Sequence, residues 1–148
     1  MDFEQLAFIE KWRRQALRGV VVQLDGTRGD LLITVRTGEL GERLDLRGRD
    51  ATGAARKARL AIGDRVTMAI EYSAREVTSG STPGVAGDLV CPGATVEGTV
   101  GSLGETVSVD CGAAAILVRG DTLPDAREGD LVRFTVDGEG KAYLIPTR

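Results

Sequence analysis

The chain has 148 residues and a formal net charge of −3, a length that suits one ordinary domain or two very small ones. Histidine is absent, which excludes Ser-His-Asp and Cys-His catalytic sites, histidine-ligated metals and histidine pH switches. Two cysteines are too few for a four-cysteine zinc site or a disulfide framework. We therefore expect no metal, no cofactor and no enzymatic activity.

The sequence shows no targeting or membrane segment. No apolar run approaches the roughly 20 residues that span a bilayer. The first residues carry neither the basic region nor the apolar region of a signal peptide. We expect a cytoplasmic protein without membrane contacts, in which Cys91 and Cys111 are free thiols.

Charge is distributed unevenly along the chain. Residues 1–76 carry 14 basic and 12 acidic side chains, a net +2, whereas residues 77–148 carry 5 and 10, a net −5. Binding to nucleic acid usually requires a basic surface. Any such function is therefore expected in the first part of the chain.

Residues 2–18 are predicted to form an amphipathic helix that ends at Gly19. Phe8, Ile9 and Trp12 share one apolar face, and other apolar residues form a second face. One interpretation is that the helix plugs the open end of a β-barrel. The alternative is that it binds a protein partner or a second copy of the chain, which would give a homodimer.

After Gly19, apolar residues recur at every second position, which is typical of strands with one buried face. Short strands between glycine- and aspartate-containing turns indicate a small barrel or sandwich. The alternating stripes are formed by Val66, Met68, Ile70 and Tyr72, by Val107, Val109 and Cys111, and by Val132, Phe134 and Val136.

Two stretches match in frame, Ile62–Val66 and Glu128–Val132, and both place Gly-Asp directly before a strand. This match predicts two related units. We expect a first barrel at residues 19–76 and a second at residues 94–148, joined by a linker at residues 77–93 that is rich in turn-forming residues.

The second unit resembles OB-fold domains of the type found in small translation factors and RNA-binding proteins. The resemblance implies a small barrel that binds single-stranded RNA or DNA through basic and aromatic side chains on its second and third strands. It is carried by five segments: Val96–Val100, Thr106–Val109, Ile116–Gly120, Gly129–Phe134 and Leu144–Pro146.

The chain departs from this pattern in its aromatic residues. Tyr72 and Phe134 belong to inward stripes, whereas Tyr143 is expected to point outward. No platform of two or three exposed aromatics can be assembled from the predicted strands. Binding would then depend mainly on phosphate contacts, which weaken steeply with salt.

The candidate nucleic-acid site is a basic segment inside the first unit. Residues 47–59 carry five cations against Asp50 alone, a local charge of +4, and guanidinium groups pair well with phosphate oxygens. The alternative is an ordinary solvated loop. The candidate residues are Arg47, Arg49, Arg56, Lys57 and Arg59, helped by Arg13 and Arg14 from the helix.

A second resemblance involves the same region. Arg14–Arg18 has the Arg-x-x-x-Arg form found in PilZ-family receptors of cyclic-di-GMP, and Asp45–Asp50 stands where their Asp-x-Ser-x-x-Gly motif is expected. Arg47 replaces the serine of that motif, and Asp50 replaces its glycine. The resemblance implies a degenerate PilZ-like barrel that has lost its ligand.

These observations predict a mainly β protein with an N-terminal helix followed by two small OB-like β-barrel units in tandem. A single fused barrel or sandwich is the alternative. The predicted function is non-catalytic binding of single-stranded nucleic acid through the basic loop of the first barrel. The alternative is a protein-interaction or assembly module that uses the helix residues Phe8, Ile9 and Trp12.

Overall fold

The structure is a computed structural model that describes residues 10–11, 13, 16–27, 30–38 and 43–145. Most of the described backbone belongs to one mixed β-sheet of twelve strands. The strands are β1 (Leu17–Thr27), β2 (Asp30–Thr37), β3 (Leu44–Asp50), β4 (Arg65–Tyr72), β5 (Ala74–Ser79), β6 (Gly84–Val85), β7 (Leu89–Val90), β8 (Thr95–Val100), β9 (Thr106–Asp110), β10 (Ala115–Arg119), β11 (Leu131–Val136) and β12 (Gly140–Ile145). A short helix, α1 (Ala54–Lys57), follows β3, and a 3-10 turn, Gly120–Thr122, follows β10.

Five strands form a barrel that we call barrel one, in the order β1-β2-β3-β12-β4. This barrel is closed because β4 also pairs with β1. Neighbouring strands in this ring are antiparallel except β3 and β12, which run parallel with Gly48 opposite Gly140. A small five-stranded barrel in which the last strand lies between the third and fourth is OB-like. The prediction of an OB-like barrel is confirmed at this level.

The other long strands are β5, β8, β9, β10 and β11. They form an incompletely closed barrel that we call barrel two, because β5 pairs with β11 alone among the described strands. They continue from β4 in the order β10-β9-β8-β11-β5, and β5 follows β4 in the chain after Ser73 alone. Each barrel therefore contains a strand from the other part of the chain. Strand β5 comes from the first part and belongs to barrel two, and β12 comes from the last part and belongs to barrel one.

The interior of both barrels is formed by the alternating stripes that the sequence predicts. One-sided burial imposes a period of two on a strand, so every second side chain enters the core. All ten predicted residues are at most 7% exposed: Val66, Met68, Ile70, Tyr72, Val107, Val109, Cys111, Val132, Phe134 and Val136. The expected inward orientation of Tyr72 and Phe134 is thereby confirmed.

The predicted fold class, an N-terminal helix followed by two small OB-like β-barrel units in tandem, is wrong. Strand β1 begins at Leu17, where residues 17–20 pair with β4 and close barrel one, so the end of the predicted helix is a strand. Residues 10, 11 and 13 are helical, and the rest of the predicted helix up to residue 15 lies outside the described residues. The barrels are also not in simple succession, because they exchange β5 and β12.

The two Gly-Asp turns that match in sequence also match in structure. The N–H of Gly63 donates to the carbonyl of Val21, and the N–H of Gly129 donates to the carbonyl of Val100, both at 2.8 Å. Each glycine has a positive φ, 96° and 86°, which glycine adopts without strain. The two barrels therefore enter β4 and β11 through the same kind of turn.

Candidate nucleic-acid interface

Helix α1 is held against barrel one by its buried side and by its first turn. Ala55 is 0% exposed, and the backbone N–H of Arg56 donates to Asp50 Oδ2 at 3.2 Å. At the same end of β3, the N–H of Ala51 donates to the carbonyl of Ala142 on β12 at 2.9 Å. These contacts leave the side chains of Arg56 and Lys57 on the exposed side of the helix.

The helix ends in a Schellman motif with Arg59 at its left-handed position. The N–H of Leu60 donates to the carbonyl of Ala55 at 3.5 Å, and the N–H of Arg59 donates to that of Arg56 at 3.1 Å. Arg59 has a φ of 53°, a conformation that usually selects glycine at this position. The side chain of Arg59 is exposed, beside those of α1.

A groove of about 550 Å³ lies next to α1, where the end of β3 meets the start of β12. Tyr143 is half-buried in this groove and packs on the outer face of the sheet against Ala69, Leu117 and Ile145. Burial and the nearby carboxylate of Glu71 raise the pKa of Tyr143. We call it the β3–β12 groove, and it is lined by Arg49, Asp50, Ala51, Glu139, Gly140, Lys141 and Tyr143.

One acceptor in this groove has no donor within the described part of the chain. Oδ2 of Asp50 accepts the N–H of Arg56, whereas Oδ1 is buried and makes no hydrogen bond. An unpaired buried acceptor is costly, so it is normally bonded to a water or ligand. Asp50 is therefore fixed to α1 through Oδ2, while Oδ1 lies below the surface of the groove.

Three of the predicted binding residues are engaged by carboxylates. Arg47 donates from Nε to Glu139 Oε2 at 3.3 Å, and this hydrogen bonding raises the pKa of Arg47. Arg49 Nε lies 3.0 Å from Asp30 Oδ1. Arg13 forms an ion pair of 3.1 Å with Glu10. Four further predicted residues lie outside the described residues: Arg14, Phe8, Ile9 and Trp12.

The other three predicted residues are exposed cations on α1 or two residues after it. Within the described ranges, the side chains of Arg56, Lys57 and Arg59 have no ion pair or hydrogen bond, and the same holds for Lys141 on β12. Neither Lys141 nor Asp50 was predicted to belong to the site. No local pattern places β12 beside β3, because the two strands lie about 90 residues apart in the chain.

The two cysteines are free, as expected. Cys111 is buried in barrel two, and burial raises the pKa of its thiol to about 12. Cys91 is half-buried. Within the described ranges, no helix has the length and apolar character required to cross a bilayer.

No protein-family model matches the chain, and no curated protein matches it. A solved structure of the cytoplasmic molybdate-binding protein ModG, with molybdate bound, is similar with a TM-score of 0.49 and 16% sequence identity, over 90% of this chain and 96% of that chain. The strand order and the burial pattern of this chain show a small β-barrel protein with an OB-like barrel.

Proposed function

We infer that the protein is a non-catalytic binding module of the cytoplasm that binds single-stranded nucleic acid at barrel one. The observation that carries this inference is the placement of four cations, unpaired within the described ranges, beside a groove with a half-buried tyrosine. The cations are Arg56, Lys57, Arg59 and Lys141, and the tyrosine is Tyr143.

The cations would bind the phosphates of the ligand. Arg56 and Lys57 extend from α1, and Lys141 lies across the groove on β12. Guanidinium groups form paired hydrogen bonds to phosphate oxygens, and an ammonium acts as a point charge. A strand that follows the groove would therefore meet positive charge on both sides.

The groove itself offers contacts to a base. The ring of Tyr143 presents an apolar surface on which one base can stack, worth about 1–3 kcal/mol. Because Tyr143 is the one aromatic side chain among the described residues that line the groove, stacking contributes less here than in OB-folds with two or three aromatics.

The conformation of Arg59 supports a binding role for its side chain. Glycine at this left-handed position would avoid a cost of about 1 kcal/mol. An arginine here is unfavourable for the backbone and makes no ion pair within the described ranges. A contact with an anionic ligand would account for it.

The test is a fluorescence anisotropy titration of the full chain with labelled 12-nucleotide single-stranded RNA, single-stranded DNA and duplex DNA. We expect micromolar binding to the single strands at low salt and weaker binding at physiological salt. The double variant Arg56→Ala/Lys57→Ala should bind at least tenfold more weakly. Arg127→Ala removes an exposed arginine from barrel two and serves as the matched control. Absence of binding at low salt would reject the proposal.

Arg59→Gly separates binding from folding. We expect this variant to unfold at the same temperature as the parent chain or a higher one, because glycine suits the left-handed position. It should nevertheless bind the single strand several-fold more weakly. Unchanged affinity would mean that Arg59 does not touch the ligand.

The structure does not describe the residues on which the assembly hypothesis depends. Phe8, Ile9 and Trp12, through which a partner or second copy would bind, lie outside the described residues. Binding of a protein through this segment stays a prediction. The variants Phe8→Ala and Trp12→Ala test it, since they should change assembly without changing nucleic-acid affinity.

A further inference from the structure

Strand β5 has one edge that no described strand covers. It pairs with β11, whereas its counterpart in barrel one, β12, pairs with both β4 and β3. The start of the open edge is closed by a side chain, because the N–H of Ala74 donates to Thr122 Oγ1 at 3.1 Å. Residues 75–79 that follow are all exposed. The open edge therefore covers most of the strand.

The backbone of Ser79 points toward this open edge. The N–H of Gly80 donates to the carbonyl of Leu131 at 2.9 Å, and Ser79 lies opposite Val132. Backbone groups of successive residues in an antiparallel strand alternate between its two sides. Since Gly80 faces β11, the N–H and carbonyl of Ser79 face away from it.

A groove of about 730 Å³ runs beside the end of β5. Val77 is 42% exposed at its edge, and Leu123, Pro124, Ala126 and Leu131 provide apolar lining. An extended peptide could place side chains in such a groove while its main chain pairs with a strand edge. We call this the β5 groove.

The charge beside the β5 groove is negative. Asp125 and Asp130 line it, and Glu128 lies between them in the chain. Within the described ranges, none of these three carboxylates forms an ion pair. The surrounding connection, residues 120–130, carries a net charge of −3. Complementarity therefore favours a cationic ligand at this edge.

We propose that the β5 groove binds an extended, lysine- or arginine-rich segment of a partner protein, which adds to β5 as a further strand. Its main chain would bond the N–H and carbonyl of Ser79, its apolar side chains would contact Val77 and Pro124, and its cations would face Asp125 and Glu128. This site is separate from the nucleic-acid interface on barrel one.

A second copy of the chain fits this edge poorly. A symmetric dimer through β5 would bring two connections of net charge −3 together. Glu76 also has a left-handed φ of 54° within an irregular stretch of the β5–β11 pairing. Bulges and charged residues at an edge hinder the pairing of two identical strands. A short basic peptide avoids both problems, since it needs only residues 77–79.

The test is an NMR titration of the isotope-labelled full chain with the blocked peptide Lys-Val-Lys-Val-Lys-Val-Lys. We expect saturable shifts at residues 77–79 and 123–126 and a dissociation constant below about 1 mM, the range of weak complexes. Ser79→Pro removes the N–H at the edge and should weaken binding at least tenfold. Asp125→Asn with Glu128→Gln should weaken it at least threefold, whereas the control Asp88→Asn should leave it unchanged.

Three results would overturn the proposal. The first is equal binding of Lys-Pro-Lys-Pro-Lys-Pro-Lys, which has the same charge but cannot add as a strand. The second is absence of shifts at β5 with the valine peptide. The third is dimerisation of the free chain that Ser79→Pro abolishes in analytical ultracentrifugation, because a second copy would then occupy the edge. Should Ser79→Pro fail to fold, Val77→Lys, at an exposed position, places a cation in the groove and should weaken binding similarly.

Discussion

The connection that carries α1 in barrel one and its counterpart in barrel two have opposite charge on similar scaffolds. Residues 51–64 link β3 to β4 and carry a net +2, whereas residues 120–130 link β10 to β11 and carry a net −3. Both connections end in the same Gly-Asp turn, with matching hydrogen bonds to β1 and β8.

This difference teaches that the scaffold and the charge of its surface are determined by separate residues. The turn glycines and inward apolar residues build the scaffold in both cases. The exposed side chains of the connection have no role in that scaffold, so they can be basic in one barrel and acidic in the other. Loops on a rigid barrel commonly hold the binding residues for this reason.

The largest expected effect tests whether the two barrels are independent. Phe134→Ala removes a side chain that is 1% exposed in barrel two and should lower the free energy of unfolding by about 3–5 kcal/mol. Because β5 and β12 join the barrels, we expect one cooperative urea transition, in which the NMR signals of Ile33 in barrel one disappear together with those of Val109 in barrel two. Survival of the barrel-one signals would show two independent units.

The second effect tests the charge contrast itself. Reversing the basic connection with Arg56→Glu, Lys57→Glu and Arg59→Glu should weaken binding to single-stranded RNA at least a hundredfold at low salt. The matched change in barrel two, Asp125→Lys with Glu128→Lys, should leave the affinity at barrel one nearly unchanged. The slope of log affinity against log salt should fall by about 0.7 for each phosphate that the variant no longer neutralises. Equal effects of the two variants in anisotropy titrations would contradict the assignment to barrel one.

The third expected effect is a loss of stability, and it tests whether β12 packs tightly into barrel one. A Cβ at Gly140 would lie 2.6 Å from Tyr72 Cε1 and 3.0 Å from Ile70 Cγ2, so Gly140→Ala should destabilise the fold by about 1–3 kcal/mol through overpacking. Gly84→Ala is the matched control, because no described atom lies within 4 Å of its Cβ position. Thermal unfolding of the two variants should differ by several degrees. If Gly140→Ala matched Gly84→Ala, β12 would not pack tightly against β4.

A smaller effect concerns the turn after β5. Hydrogen bonds from the backbone N–H groups of Ser81 and Thr82 lower the pKa of Glu97. This contribution to stability is present above the ordinary pKa of glutamate and is lost as the pH falls through the lowered value. Glu97→Gln should therefore lower the melting temperature at pH 7, and this loss should become smaller as the pH falls below the ordinary pKa of glutamate. Glu128→Gln, which removes no such bond within the described ranges, should leave the melting temperature unchanged over the same pH range.

The smallest expected effect is a difference in how fast the two cysteine thiols are modified, which leaves stability unchanged. Burial raises the pKa of Cys111 to about 12, so its thiol stays protonated at pH 8 and is shielded from reagents. Iodoacetamide at pH 8 should therefore modify half-buried Cys91 first and Cys111 only on unfolding. Mass spectrometry of digests distinguishes the two sites, and Cys91→Ser should remove the early modification. Rapid labelling of Cys111 in the folded chain would contradict its burial.

Much of the core could be predicted from the sequence, because a strand with one buried face has an apolar residue at every second position. The stripe from Val66 to Tyr72 identifies β4 and its inward face, and Val132 to Val136 does the same for β11. The sequence also indicated the Gly-Asp turns, whose glycines need positive φ. Residues 17 and 18 show the opposite case, because the local pattern predicts a helix and pairing with β4 makes them part of a strand.

The candidate site was only partly visible in the sequence. The segment 47–59 showed its excess of basic residues, and α1 does display Arg56, Lys57 and Arg59. The tertiary structure alone showed that Arg47 is bound by Glu139, which is 92 residues away in the chain. A count of local charge cannot include a carboxylate that arrives with a distant strand.

The sequence by itself determined which residues are buried, where the main turns lie and where the cations are concentrated. The tertiary structure decided which strands pair, that β5 and β12 change barrels, and which of the described cations have carboxylate partners. The physical reason is the range of the interactions. Alternation, turn conformation and charge density are local, whereas any strand with one apolar face can pair with many others. The choice among them depends on close contacts such as those of Gly48 and Gly140 with Ile70.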